Sequence, residues 1–370
     1  MNKFPIAFLL VILGLMGCAE TPPKNTELHL QGKWLVEANG EVMLDPQTSG
    51  LKAWRGKLVS VSDGSAHVSQ RKKLHIIDPE SASLQAQPLK MIMSDKVEKS
   101  CFADYLADAP DLEAIAVDPR DDRVFVLVTE DATRSSGMSQ ACHLRYKNSG
   151  STDYPTVLIR LELQADNTVL MTDVRPIQFA ESFAVGNFPN DGIEGLSFAP
   201  DGTLYLALEK DKKSNARIFS IKIDEQFWQT EEFAQVSDPQ LEFPSISSGN
   251  HPINGMDYFA VEGHKGFLIA GARNDSQLWV IDLEKKIPTK VLPLQFLAPT
   301  GNDEPNCQKW EVMDNASLEG LAVSGNTIWT INDPWKLHYM DNVQCEANRA
   351  KYSKMAPLLF SLSADPAWFE

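Results

Sequence analysis

The chain has 370 residues, 43% of them hydrophobic, and carries a formal charge of −16 from 34 basic and 50 acidic side chains. So acidic a surface repels a polyphosphate backbone, which excludes nucleic acid as a natural partner and makes divalent cations candidates instead. Apolar material is ample for a packed core.

In chain order, Lys3, the apolar run from Phe4 to Leu15 and the ending Leu15-Met16-Gly17-Cys18 read as an export signal over residues 1–17. The run is too short to span a membrane as a mature helix. The small residue before Cys18 resembles a bacterial lipobox, which implies a lipid on Cys18 as the membrane anchor. Ala19, in place of Asp, implies sorting to the outer membrane, facing the periplasm. Residues 18–28 are polar and contain prolines, the composition of a tether, and residues 29–370 read as a single domain.

From there a phrase repeats: Leu112-Glu113-Ala114-Ile115-Ala116, Ile193-Glu194-Gly195-Leu196-Ser197, Ile253-Asn254-Gly255-Met256-Asp257 and Leu318-Glu319-Gly320-Leu321-Ala322, with Ser49-Gly50-Leu51 as a degenerate first copy. Each copy leads through a turn into an alternating apolar run ending in polar residues, then into a third run such as Val157 to Leu161 or Leu278 to Ile281. A fourth follows in most copies, as in Leu89 to Met93, Val169 to Val174 and Val291 to Phe296. Period-two alternation with turn residues between makes these strands, and a repeated four-stranded antiparallel unit is a β-propeller blade. The all-β fold expected is therefore a propeller of five blades, spaced by roughly 60 to 80 residues, or six if the insertion from Thr133 to Tyr154 hides another. The last unit stops at Glu370 after its third strand, so the stretch from Glu27 to Ala38 is expected to supply the missing outer strand and close the ring.

Four cysteines remain after Cys18, an even number in an exported chain, which points to disulfides. Cys101 and Cys307 each lie 12 residues before a repeated glutamate, while Cys142 and Cys345 follow those glutamates by 29 and 26. Equivalent places imply equivalent bridges, Cys101 to Cys142 and Cys307 to Cys345.

In such a fold the start of each inner strand and the end of each second strand share one rim. One funnel is thus expected to gather Asp63, Glu113, Glu130, Asp131, Glu194, Glu209, Asn254, Arg273, Asp275, Glu319, Asn332 and Asp333. The stretch Asn190-Asp191-Gly192-Ile193-Glu194-Gly195-Leu196-Ser197, with Pro200-Asp201-Gly202-Thr203-Leu204-Tyr205 and Glu209, resembles the propeller family described as having the esterase-like activity of phytase. The related SdiA-regulated lipoprotein propellers share its Glu-Gly-Leu pattern. The resemblance implies calcium-binding or catalytic-channel roles for Glu113, Glu194, Glu209 and Glu319, from which Asn254 and Ser49 depart.

Converging carboxylates either hold protons or hold a cation, and calcium suits them because it accepts six to eight oxygens in irregular geometry. The metal set expected is Glu113, Glu194, Asn254, Glu319, Glu130 and Glu209. The competing expectation is that each repeated glutamate caps a neighbouring blade by accepting backbone N–H groups. For hydrolysis the candidates are Glu194, Glu209, Arg273 and His251, with Lys210 near the rim, and Trp310, Trp335 and Tyr339 offer aromatic faces. No Gly-x-Ser-x-Gly elbow, phosphate-cradling glycine loop or His-Glu-x-x-His helix occurs, and the seven histidines are scattered. Two functions stand: a calcium-dependent ester or phosphoester hydrolase, or an envelope propeller that binds a small-molecule or envelope ligand without turnover. Either is expected to act as a monomer.

Overall fold

Each repeated phrase becomes an inner strand: Thr48–Trp54, Leu112–Val117, Ile193–Phe198, Ile253–Phe259 and Leu318–Ser324. These belong to a computed structural model that describes residues 27–130, 137–150, 154–186, 192–245, 249–301 and 305–370. The export signal, Cys18, most of the tether, Asp131, Asn190 and Asp191 lie outside the described residues.

The apolar run after each inner strand folds back antiparallel as a second strand, Lys57–Ser62, Val124–Thr129, Thr203–Leu208, Phe267–Ala272 and Thr327–Asn332. The turns between them carry the expected chemistry. Arg55 and Gly56, both at positive φ, join the first pair, and Gly202 at φ +82° serves the Asp201-Gly202 turn of the third. A third antiparallel strand follows in every unit: Lys73–Asp78, Val157–Leu163, Arg217–Lys222, Gln277–Asp282 and Leu358–Ser363.

The outer strands differ from the expectation of one private fourth strand per unit. Thr168–Gln178 and Lys290–Pro299 complete the second and fourth units. Leu89–Met93, however, runs parallel to Thr168–Met171 and joins the first two units into one ten-stranded sheet. Ala234–Gln235 lies parallel to Ile177–Gln178 of the second unit, and a Ser220–Ser237 bridge just beyond it is its backbone link to its own unit among the described residues. Edge strands carry unpaired N–H and C=O groups on one side, so a short segment nearby pairs with whichever edge it meets. The amino-terminal stretch meets the expectation in part: Lys33–Trp34 pairs antiparallel with Leu358–Leu359 of the last unit, whereas Leu28–Gln31 runs parallel to the fourth unit's outer strand instead. The described part of the 133–154 insertion carries the helix Gln140–Tyr146 and no strand. Among the described residues no helix is long and apolar enough to cross a membrane.

Both expected disulfides are present, Cys101–Cys142 and Cys307–Cys345, with Cα atoms 5.5 and 5.6 Å apart. The core lies between neighbouring units; Val126, Val128 and Leu158 of the second, for example, pack with Leu196, Leu204 and Leu206 of the third.

The five inner strands pack cyclically, the first against the second and fifth, and the third against the second and fourth, with the fourth also against the fifth. They approach so closely that only glycine or alanine stands at the contact. A Cβ on Gly50 would lie 2.8 Å from the Ile115 nitrogen, one on Gly255 3.1 Å from the Gly320 carbonyl carbon, and one on Gly320 2.9 Å from that of Gly50. Ala114 occupies the corresponding place in the second unit. Gly320→Ala should therefore force the strands apart and lower stability by about 1–3 kcal/mol, as overpacking does elsewhere. Chemical denaturation measures this, and an unchanged midpoint would show that the axis has room to spare.

Candidate functional site

The antiparallel register between inner and second strands slips near the start of every inner strand: between Leu112 and Ala114, Ile193 and Gly195, and Leu318 and Gly320, and, one residue later or across two residues, between Ser49 and Leu51 and between Ile253 and Met256. A bulge leaves its extra residue without a cross-strand partner and re-aims its side chain. Here that residue is the repeated glutamate in three units. Glu113, Glu194 and Glu319 consequently line a cavity of about 580 Å³ with Asp63, Glu130, Glu209, Asp314 and Asp333. Against these eight carboxylates, the described lining offers two cations, Lys210 and Arg273. Just past the bulges, Leu51, Ile115, Leu196, Met256 and Leu321 close in with the glycines and leave no room for a water, so the funnel is blind at that depth.

Carboxylate oxygens of Glu113, Glu194 and Glu319 lie within 4.8 Å of one another, as do those of Glu130, Glu194 and Glu209, and of Asp111, Glu113 and Glu130. The two departures from the repeat face this set as donors. Ser49 Oγ donates to Glu113 Oε2 at 3.2 Å, and Asn254 Nδ2 donates to Glu319 Oε1 at 3.0 Å. Arg273 donates from Nη1 to Glu319 Oε2 at 2.9 Å and from Nη2 to Glu209 Oε1 at 3.3 Å. A capping role would show as backbone N–H groups donating to the repeated glutamates. The backbone donors go elsewhere: Gly192 N donates to Glu130 Oε1 and Gly64 N to Asp111 Oδ1.

Two groups are left over. Glu194 is 5% exposed, yet among the described residues no hydrogen bond or ion pair reaches it. Asn254 is 0% exposed, and its Oδ1 has no partner. Burying a carboxylate and a carbonyl oxygen without donors is expensive unless a proton or a cation arrives. The electrostatics agree. Burial, then neighbouring carboxylates, hold Glu113, Glu194 and Asp333 well above the usual carboxylate range, and raise Asp63 to about 6. Burial pulls the Arg273 guanidinium down, but Glu319 and Glu209 outweigh it and keep it firmly charged.

The funnel thus collects most of the residues the repeat pointed to, with corrections. His251 and Asp275 are not in it. They pair with each other, His251 Nδ1 lying 2.9 Å from Asp275, and His251 lines a separate cavity beside Arg217 and Lys213. Asn254 sits beside the open cavity's wall, bonded to it through Glu319. Asn332 is buried beyond it, its Oδ1 accepting from Leu358 N. Tyr339 is a core residue whose hydroxyl donates to the Ala356 carbonyl, and Trp310 is a half-buried strand residue. Trp335 does stand at the funnel, 46% exposed. Asp111, Asp314 and Gln47 were not anticipated. Asp111 had a signal, since it directly precedes a repeated phrase.

No family model matches the chain, and no curated protein matches its sequence. Solved structures of similar shape include a Bacteroides thetaiotaomicron protein of unknown function, at 8% identity over 90% of this chain and 76% of that one, with a TM-score of 0.42. Another comes from the GH130 family of mannoside phosphorylases, at 9% identity over 90% and 88% of the two chains and a TM-score of 0.41. A third is the β-propeller domain of Myceliophteria thermophila Cps50 (Swd1), at 8% identity over 88% and 99% and a TM-score of 0.38. At these levels the likeness has no bearing on activity.

The raised carboxylates make a signed prediction for the metal-free protein. The folded state keeps protons on Glu113, Glu194 and Asp333 at pH values where the unfolded chain, titrating near 4.5 for Glu and 3.8 for Asp, has lost them. Stability therefore falls as pH rises through the folded values, and in chelator the melting temperature should be higher at about pH 5 than at about pH 8. A melting temperature that drops on acidification over that window would show that the funnel carboxylates are ionised without help.

Proposed function

We propose that the chain is a five-bladed β-propeller that binds calcium in its axial funnel and hydrolyses a small ester or phosphoester there, held at the cell envelope by a lipid on Cys18. The cyclic packing of five inner strands and the pairing of Lys33–Trp34 with the last unit support the blade count. The observation that carries the calcium reading is the pair of leftover oxygens, the undonated Glu194 carboxylate and Asn254 Oδ1, beside Glu113 and Glu319. The donor set is all oxygen, with three carboxylates and one amide, which fits a hard cation and not zinc. Glu113, Glu194, Glu319 and Asn254 would hold the ion, with Glu130 and Glu209 forming a second set around the same Glu194.

When bound, calcium would supply the positive charge that polarises an ester or phosphoryl oxygen. Arg273 and Lys210, on the funnel wall, would steady the oxygens of an anionic substrate, and a wall carboxylate such as Glu209 would take the proton of the attacking water. One observation favours the second reading, a binding propeller without turnover: among the described residues lining the funnel there is no histidine to serve as a base. A panel of phosphomonoester, carboxyl ester and lactone substrates, with and without chelator, separates the two. Chelator-sensitive turnover supports the hydrolase; metal bound with no turnover leaves the binding propeller.

Metal loading has its own test. Calcium at a hundredfold excess over its dissociation constant should stabilise the fold by roughly 2.7 kcal/mol, read as a higher melting temperature that chelator reverses. Glu194→Gln keeps the size and removes the charge, so much of that response should disappear while the fold survives. A wild type whose melting is the same in calcium and chelator, purified without metal, would sink the metal reading. For the anchor, Cys18→Ala should move the protein from the membrane fraction to the soluble one, and retention at high salt would count against lipidation.

A further inference from the structure

We propose that Arg273 is the funnel's resident substitute for a metal ion, and that cation binding turns it from the carboxylates toward the cavity, where it receives an oxyanion. This rests on the calcium reading above and adds to it an order of binding: cation first, anion second.

The repeat shows what is unusual about Arg273. The residue following each second strand is Asp63, Glu130, Glu209, Arg273 and Asp333 in turn, so an arginine stands where four units place an acid. The same unit carries Asn254 in place of the repeated glutamate. From there the guanidinium reaches to both sides, to Glu209 of the unit before and Glu319 of the unit after. Each of those belongs to a different three-carboxylate set, and both sets contain the undonated Glu194.

A divalent ion entering either set must therefore take a carboxylate that Arg273 now holds, and the two positive charges repel across a buried site. Arg273 is not sealed in: its side chain is 27% exposed and lines the open cavity beside Lys210 and Asn274. Released from Glu319, its planar fork presents paired N–H donors of the spacing that carboxylates and phosphates accept. In the metal-free protein the same donors are occupied and the surrounding carboxylates repel an anion. Metal and anion affinities should be positively coupled as a result, and by linkage each must raise the other by the same factor.

The test is calorimetric titration of the whole mature protein with calcium, alone and in the presence of phenyl phosphate or benzoate, and the reverse titrations. Expected is a calcium affinity about tenfold higher with the anion present, with the reciprocal gain for the anion. The two anions distinguish a phosphoryl from a carboxylate ligand. In Arg273→Gln, calcium should bind at least as tightly as in the wild type, because its competitor is gone, while the coupling should disappear. Coupling that survives in Arg273→Gln would mean the anion sits on the metal alone, and its absence in the wild type would mean Arg273 does not turn; either overturns the proposal and leaves calcium binding intact. The wild-type reciprocity requires no variant, so a misfolded Arg273→Gln does not rescue a failed result. Calcium binding by neither protein would overturn the calcium reading itself, and this inference with it.

Discussion

Everything in the funnel follows from how closely the five inner strands approach one another. Gly50, Ala114, Gly195, Gly255 and Gly320 stand where a larger side chain would strike the backbone or side chains of an adjacent strand. With the strands fixed at that distance, the residues just before these small ones, Ser49, Glu113, Glu194, Asn254 and Glu319, converge in one ring and are stripped of water together. The same packing that stabilises the fold is thus what desolvates the carboxylates, and burial is accordingly the largest influence on Glu113, Glu194 and Asp333.

The ring is not uniform, and its irregularity has a direction. The fourth unit supplies Asn254 below and Arg273 above, whereas the second and third supply acids at both levels. Hydrogen-bond donors from side chains accordingly reach Glu113 from Ser49 and Glu319 from Asn254 and Arg273, and among the described residues none reaches Glu194 between them. Arg273 thus offsets charge on both flanks of the fourth unit, through Glu209 of the third and Glu319 of the fifth, without touching Glu194 itself.

Much of this is legible in the sequence, because repetition converts one local reading into several that must agree. The strands, the rim shared by Glu113, Glu194 and Glu319, and both disulfides came from equivalence between units. What the sequence did not carry was set by geometry outside the repeat. Outer segments such as Ala234–Gln235 choose an edge by proximity, so their unit could not be read from order. Asp275 follows Arg273 by two residues, but the 3₁₀ turn Arg273–Asp275 sends it to His251 and away from the funnel. Asp111 is hidden from the repeat because other units place different residues there, Gly192 and Ser317 among them.

A short way down the same inner strands, the protein shows how it treats a buried charge it means to keep to itself. Lys52 lies three residues beyond Ser49 and forms a 2.7 Å ion pair with Asp257, which lies three beyond Asn254. Lys52 Nζ also donates to the Met256 carbonyl, and the two Asp257 oxygens accept from Ser197 Oγ and from Val323 N. Removing one partner of such a pair strands the other and typically costs about 3–5 kcal/mol. Both charges are matched in sign and in hydrogen bonds, using residues from four of the five inner strands. The upper ring has the same strands, the same spacing and comparable burial, yet leaves Glu194 and Asn254 Oδ1 without donors. Since the fold satisfies a buried charge internally in the lower ring, the contrast with the unmatched oxygens above supports the proposal that a cation completes the upper one.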